Sequence, residues 1–441
     1  MSGALDPSAP ASEADLAESV AGEGAMERHA RFVDANMRRN FSANLIHGIF
    51  GMTGFRLIYA PTIIPAYIHL LTGSASAVGL GTALLQLGGT ISPIASGTRV
   101  ETRRFILPYA VRVGSMMRVM LLGLALAGWF LTGNQLLGVT FVLFLLLGFF
   151  SGAQRVAFQM LMAKVIPIRR RGRLQGYRNV VGGLIAAVLA WFAGHVMIEQ
   201  SWFGNGYATT FLLAFVLTSI GLFALQLLIR EPEAPARRSP LPWRERIAEL
   251  PKLLHNPDFR HFLTAQGFAT AARVGLPFWT IFVGDRLGLN GALIGGLSLA
   301  FLGADTVSNL AWGAIGDRYG FRIVYLLSLG ATLAGLILLV TGTTAFPLYG
   351  AFAMMGVGSS GWMMASATMV LEFGAHEDIP MRLAFATTVE GAVAAIGPLV
   401  AGALVGLFGY TPLIVITFIA LAVAALVTMT RIREPRTVDQ H

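Results

Sequence analysis

Twelve apolar segments, each long enough to cross a lipid bilayer, dominate this sequence of 441 residues. A membrane-spanning helix needs about 20 mostly apolar residues. The segments that reach this length are 44–70, 76–97, 107–131, 136–162, 175–197, 207–229, 262–284, 292–312, 322–342, 346–371, 383–407 and 409–430. Charged residues make up only 12% of the chain, against about a quarter in soluble domains. We therefore predict an all-α membrane protein and number these segments as spans one to twelve.

Basic residues are concentrated on one side of the membrane. The loops on the side of the N terminus and the residues that flank them hold 26 of the 32 Lys and Arg residues, whereas the opposite loops hold only Arg286. By the positive-inside rule, both termini are expected in the cytoplasm. The net charge of +9 is thus a sign of topology, and nucleic acid is not expected as a partner. Since only Lys164 and Lys252 are lysines, as is typical of GC-rich bacterial genomes, we expect the inner membrane of a bacterium.

The chain also contains an internal repeat. The tetrapeptide IREP ends an apolar run at 229–232 and again at 432–435, and a shift of 216 residues lays Gly51 on Gly267 and Pro61 on Pro277. A repeat in the same orientation indicates a parallel duplication of six spans. We interpret IREP as a helix stop, because proline cannot continue a helix. The predicted organisation is a disordered tail at 1–40, a six-helix bundle at 41–229, a linker with an amphipathic helix at 230–261, a second bundle at 262–430 and a tail at 431–441.

The loop between spans eight and nine carries a recognisable motif. Its sequence, GAIGDRYGFR, resembles the short-loop signature of the major facilitator superfamily, Gly-x-x-x-Asp-Arg-x-Gly-x-Arg/Lys. The matching residues are Gly313, Asp317, Arg318, Gly320 and Arg322. The corresponding loop of the first half, GTRVETRRF, keeps only the glycine and an acidic residue.

This resemblance implies a fold and a mode of action. The fold would be two six-helix bundles related by pseudo-twofold symmetry, which transport a solute by alternating access. The motif would be a gating loop, in which Asp317 accepts hydrogen bonds from a neighbouring helix N-terminus. In the same loop, Gly313 would allow two helices to approach closely and Gly320 would form the turn.

Arginines inside the spans are the strongest functional signal. In the superfamily, helices one, four, seven and ten line the central cavity, and Arg56, Arg155 and Arg273 lie on three of these helices. A charge at mid-membrane costs about 2.5–3.5 kcal/mol on insertion scales, so such residues need partners or water. Arg56 and Arg273 are separated by nearly the repeat shift, so we expect them to face each other. The predicted substrate-binding residues are Arg56, Tyr59, Arg155, Gln159, Gln266, Arg273 and Trp362.

Two carboxylates lie well inside the spans. Asp305 in span eight and Glu390 in span eleven are candidates for proton coupling, because occupancy of a neighbouring arginine changes the proton affinity of an acid. In the alternative, Arg273 and Arg155 only pair with these two acids and stabilise the bundle.

The expected function is secondary active transport of a small solute, coupled to an ion such as a proton, with an organic anion as the substrate. Two alternatives stay open, namely a drug or metabolite efflux permease of the same superfamily and a transport-inactive sensor or accessory protein. No enzyme activity, cofactor or metal is expected, because the chain has no cysteine, no phosphate-binding loop and only scattered histidines. We expect a monomer.

Overall fold

The computed structural model describes residues 27–101, 103–233, 256–373 and 379–432, and nearly all of these residues are helical. Residues 27–35 form a short helix and span one begins at Met37, so the disordered tail predicted to reach residue 40 is too long. The reason is contact with the end of span six, where Asn40 and Arg230 exchange two hydrogen bonds between side chain and backbone. Residues 1–26, the predicted amphipathic linker helix in 234–255, and residues 433–441 lie outside the described residues.

The first six spans follow the predicted segments in order. Span one consists of two helices, Met37–Tyr59 and Ile63–Thr72, which are separated near Pro61. Spans two to six are Ala75–Glu101, Leu107–Phe130, Gly133–Val165, Ile168–Phe192 and Gly206–Leu228. Span five continues through a π-helical segment, Ala193–Ile198.

The last six spans repeat this arrangement. Span seven is again broken, into Pro257–Arg273 and Leu276–Leu287. Spans eight to twelve are Gly291–Tyr319, Phe321–Thr341, Ala345–Glu372, Ile379–Phe408 and Tyr410–Arg431. Pro61 and Pro277, which the repeat aligns, lie at the breaks in spans one and seven, as expected for a residue that removes a helical hydrogen bond.

Within the described residues, nine helical segments are long and apolar enough to cross a membrane. Spans two, seven and ten fall short of this criterion. Spans two and ten are rich in Gly, Ser and Thr, and span seven is broken and carries Arg273. Polar and small residues of this kind are tolerated where a helix faces other helices or a water-filled cavity rather than lipid.

The first IREP does more than stop a helix. Glu231 accepts hydrogen bonds from the backbone amides of Ile106 and Leu107, at 2.7 and 2.8 Å. It also pairs with Lys164 at 2.7 Å, with side chains only 4% and 9% exposed. The end of span six is thereby bonded to the start of span three and the end of span four. Residues 433–435 of the second copy lie outside the described residues.

The two bundles meet along spans two and eleven and along spans five and eight. We call the side on which span one begins the terminal face and the opposite side the far face. Near the far face, a Cβ at Gly79 would collide with the carbonyl oxygen of Pro398, and a Cβ at Gly194 with the backbone of Gly295. The bundles are therefore in backbone contact there, as small residues at helix interfaces permit.

The broken tips of spans one and seven add contacts between the bundles. Thr280 Oγ1 donates to the carbonyl oxygen of Pro61 at 2.8 Å. Thr62 and Ser298 share a hydrogen bond of 2.6 Å, and His69 Nε2 lies 4.0 Å from Asp285 Oδ1. These contacts hold the bundles together in the outer half of the molecule.

Candidate functional site

Arg56 connects the two bundles at mid-membrane. Its Nη1 donates to Asp305 Oδ2 at 2.7 Å and to Thr306 Oγ1 at 2.9 Å, so a guanidinium of span one binds two residues of span eight. The side chains of Arg56 and Asp305 are 18% and 11% exposed. The pair is therefore largely shielded, and each charge depends on the other for compensation.

Span four presents an arginine without such a partner. Arg155 and Gln159, one helical turn apart, both have exposed side chains, and no hydrogen bond or ion pair joins Arg155 to another described residue. Arg155 nevertheless lies within electrostatic range of Tyr59 in span one and of Glu390 in span eleven. It therefore faces the space between the bundles. Tyr59 borders the same space, with its hydroxyl donating to Ser151 Oγ at 2.9 Å.

Arg273 is held mainly by an aromatic ring. Its guanidinium carbon lies 4.2 Å from the ring centroid of Trp362 in span ten, and Nη1 is 3.4 Å from the carbonyl oxygen of Ser359. A cation–π contact of this kind stabilises a desolvated arginine by about 2 kcal/mol. It leaves the carboxylate-binding edge of the guanidinium without an acidic partner at ion-pair distance within the described residues.

Glu390 is bound by uncharged groups. Gln266 Nε2 lies 3.5 Å from Glu390 Oε2, and Tyr325 OH lies 3.5 Å from Gln266 Oε1. Both contacts are long, and Arg155 and Arg273 act on this carboxylate only through space. Glu390 is thus the acid of the cavity that is least tied to a partner.

The acidic residues are unevenly distributed between the two bundles. Between Asp34 and Glu199 the sequence contains a single acidic residue, Glu101 in the loop after span two. The cavity acids Asp305 and Glu390 both belong to the second bundle. Around the cavity three arginines face two carboxylates, which leaves one positive charge in excess.

The geometry differs from the expected pairing in two respects. Arg56 and Arg273 were expected to face each other as a joint site. Instead, Arg56 forms an ion pair with Asp305, and Arg273 stacks on the ring of Trp362. The alternative assigned the acids to Arg273 and Arg155, whereas Asp305 is bound by Arg56. Sequence reasoning also missed Thr306 and Tyr325, although Thr306 directly follows the acid that binds Arg56.

The gating loop is open to solvent in this conformation. Gly320 has φ of +89°, which suits the turn between spans eight and nine. A Cβ at Gly313 would meet no atom within 4 Å, so the close helix contact expected there is absent. Asp317 is exposed, and no hydrogen bond joins it to another described residue. The reason is that the bundle contacts described above lie toward the far face.

The remaining arginines of the motif serve the second bundle itself. Arg322 donates to the carbonyl oxygens of Thr428 and Met429 at 3.2 and 2.8 Å, which satisfies the C-terminal end of span twelve. Arg318 stacks on Tyr319, with its guanidinium carbon 5.1 Å from the ring centroid, inside the reach of about 6 Å for such a contact.

A duplicated helical bundle with a charged cavity between its halves defines a secondary transporter of the membrane. The sequence matches the Major Facilitator Superfamily over residues 45–304 and 268–441. The chain therefore belongs to that family, and the predicted fold of twelve spans in two bundles is confirmed. None of the curated proteins compared with the chain matches it.

Solved structures of transporters share this fold at low sequence identity. A single-substitution mutant of the nucleoside transporter NupG has a TM-score of 0.68 at 14% identity, covering 88% of this chain and 98% of its own. The D-xylose-proton symporter has a TM-score of 0.65 at 15% identity, covering 91% and 98%. Identities this low show the fold alone.

Proposed function

We propose that this transporter moves a small organic anion together with a proton, as a monomer in a bacterial inner membrane with both termini in the cytoplasm. The observation that carries the proposal is Arg155, whose exposed guanidinium faces the cavity with no bonded partner among the described residues. An arginine binds a carboxylate with two parallel hydrogen bonds, which gives both orientation and affinity. The excess positive charge of the cavity supports the same substrate class.

The proton has two candidate sites, Asp305 and Glu390. Protonation of Asp305 would remove the charge that holds Arg56, and Arg56 could then bind the carboxylate of the solute. Glu390 would respond in the same way to a solute bound at Arg155 or Arg273. In either case one proton and one negative charge enter together, so transport of a monoanion would be electroneutral.

A ligand screen on the purified full chain tests the substrate class. We expect organic monocarboxylates and dicarboxylates to raise the melting temperature of the detergent-solubilised protein, and cationic drugs to leave it unchanged. Arg155→Gln should abolish the rise with little effect on the melting temperature without ligand, because Arg155 has no bonded partner to lose. Arg112→Gln, an exposed arginine on span three, is the control. Stabilisation by cationic drugs alone would favour the efflux permease instead.

The coupling is tested in liposomes. Uptake of a stabilising monoanion should follow an imposed pH gradient and should not respond to a membrane potential set by potassium and valinomycin. Uptake that follows the potential and ignores the pH gradient would contradict proton symport. No uptake of any tested solute would leave the transport-inactive sensor as the better reading.

A neutral polar solute is the second candidate. The hydroxyl pair of Tyr59 and Ser151 and the amides of Gln159 and Gln266 border the cavity and can bind hydroxyl groups. The structural neighbours named above are a nucleoside transporter and a D-xylose-proton symporter. Sugars and nucleosides therefore belong in the same screen, and stabilisation that survives Arg155→Gln would favour them.

A further inference from the structure

A second cluster of basic side chains, two of them arginines, lies inside the first bundle, apart from the central cavity. It consists of His47 in span one, Arg118 in span three and Arg178 in span five. Each lies about ten residues from the terminal-face end of its span, or roughly 15 Å at 1.5 Å per residue. Arg118 and His47 are only 3% and 4% exposed. The three side chains thus lie at a similar level along the first bundle.

Arg118 is bonded only to uncharged oxygens. Its Nε donates to the carbonyl oxygen of Thr218 at 2.8 Å, and its Nη1 donates to that of Gly114 at 2.6 Å and lies 3.4 Å from Gln154 Oε1. Its Nη2 is buried and has no hydrogen-bond partner among the described residues. Two N–H groups of a charged side chain are therefore unsatisfied inside the bundle.

The other two members of the cluster also present unsatisfied nitrogens. His47 Nε2 and Arg178 Nε are buried without a partner in the described part of the chain. The His47 ring packs on Phe158 at a centroid distance of 4.2 Å. Arg178 Nη1 makes one long hydrogen bond, to Met162 Sδ at 3.7 Å. Both guanidinium groups act electrostatically on His47, so the three groups are close neighbours.

No carboxylate is at hand to balance these charges, because the helices of the first six spans contain no acid between Asp34 and Glu199 apart from Glu101 at the end of span two. A buried charge without a counter-charge is strongly destabilising, and a buried N–H without an acceptor adds to that cost. A single negatively charged ligand that accepts several hydrogen bonds would supply both the missing counter-charge and the missing acceptors.

We propose that this cluster binds a small monovalent anion, of the size of chloride or nitrate, which accepts hydrogen bonds from Arg118, His47 and Arg178. The anion must be small, since the Arg178 side chain crosses Gly48 so closely that even a Cβ there would collide with it. Arg178 is only half-buried and provides the contact of the cluster with solvent. The site is separate from the central cavity and does not depend on the solute carried there.

The proposal is tested by the salt dependence of stability. The detergent-solubilised full chain is melted in sodium chloride, sodium nitrate or sodium gluconate at equal ionic strength, with chloride titrated into gluconate. We expect chloride and nitrate to raise the melting temperature with a dependence on the logarithm of concentration, as for any ligand that binds the folded state. Gluconate is too large for the site, but as a monocarboxylate it can bind the cavity arginine, so the comparison is also made in Arg155→Gln, where gluconate should have no such effect.

Variants separate this site from the cavity. Arg118→Gln and Arg178→Gln should each lose the chloride response, whereas Arg155→Gln in the cavity should keep it. If Arg118 had only a structural role, its substitution would lower the melting temperature equally in all three salts. Should Arg118→Gln fail to fold, the half-buried Arg178→Gln carries the test.

Two results would overturn the proposal. One is the same melting temperature of Arg155→Gln in chloride and gluconate at every concentration. The other is a chloride response that persists in Arg178→Gln but disappears in Arg155→Gln, which would place the anion in the central cavity.

Discussion

Arg56 in span one and Asp305 in span eight form an ion pair across the two bundles, with 2.7 Å between Nη1 and Oδ2. Thr306 Oγ1 receives a second hydrogen bond from the same nitrogen at 2.9 Å. Because the two residues belong to different halves of the chain, this pair couples the position of one bundle to the charge state of the other.

We expect Arg56→Ala to destabilise the protein more than the double variant Arg56→Ala with Asp305→Ala. The single change leaves a shielded carboxylate without its partner, and removal of both charges relieves that penalty. The interaction energy from the double-mutant cycle should be about 1–3 kcal/mol. Unfolding measured at pH 7 for the four proteins gives this value. Additive effects of the two single substitutions would show that the pair contributes nothing.

The hydrogen bonds and the ion pair of Glu231 should stabilise the first bundle. Glu231→Gln removes the charge that balances Lys164 and weakens the bonds to the amides of Ile106 and Leu107. The expected loss is about 2–3 kcal/mol of the free energy of unfolding. Glu233→Gln is the matched control, since the Glu233–Arg104 pair is more than half exposed and such pairs are worth about 0–1 kcal/mol. An equal loss of unfolding free energy in the two variants would show that the contacts of Glu231 contribute no more than an exposed ion pair.

The fold could be predicted from sequence because its signals are long and repeated. Hydrophobic length predicted the spans, and the internal repeat predicted their division into two bundles. The pairs of interacting side chains inside the cavity were harder to predict. Helical spacing identifies which residues share a face of one helix, but not how neighbouring helices are rotated relative to each other. Thus the pairing of Arg56 with Asp305 was not predicted, because the alternative assigned the two acids to Arg273 and Arg155. The bonds of Glu231 are invisible in sequence for the same reason, since they join residues 67 to 125 positions apart.

Closure of the far face should depend on Gly79. A methyl group at this position would collide with the carbonyl oxygen of Pro398, which is backbone and cannot move aside alone. Gly79→Ala should therefore separate spans two and eleven and favour a conformation in which the far face is open. Gly138→Ala, at a helical position where a Cβ meets no atom within 4 Å, should have no effect.

The separation can be measured with spin labels. The chain has no cysteine, so Leu71→Cys and Leu287→Cys at the tips of spans one and seven can be labelled directly. We expect the distance distribution to shift to longer values in Gly79→Ala and to stay unchanged in Gly138→Ala. An unchanged distribution in Gly79→Ala would show that the two spans adjust locally.

Asp317→Asn should slow transport without loss of stability. Asp317 is exposed here, and a contact formed only in another conformation affects the balance between conformations rather than this one. We expect uptake to fall about tenfold or more, which corresponds to about 1.4 kcal/mol, with the melting temperature unchanged. Asp34→Asn, another exposed acid near the terminal face, is the control. Wild-type uptake by Asp317→Asn would mean that the motif has no gating role in this chain.

The orientation of the chain can be tested with reporter fusions. The bias of basic residues predicts a cytoplasmic signal for a reporter fused after residue 441 or inserted within 230–260, and a periplasmic signal for one inserted within 200–206. The same signal from both kinds of position would contradict the twelve-span topology.

The breaks in spans one and seven have a mechanical consequence. Each divides its span into a long inner helix and a short tip, Ile63–Thr72 or Leu276–Leu287, and the tips contact each other through the hydrogen bond from Thr280 to Pro61. A short segment beyond a break can bend by changing a few backbone dihedral angles, while rotation of a whole bundle must separate many packed side chains. Sealing of the solute and reorientation of the bundles are therefore separable events, with their own barriers and rates. The tips can therefore enclose a solute before the two bundles reorient.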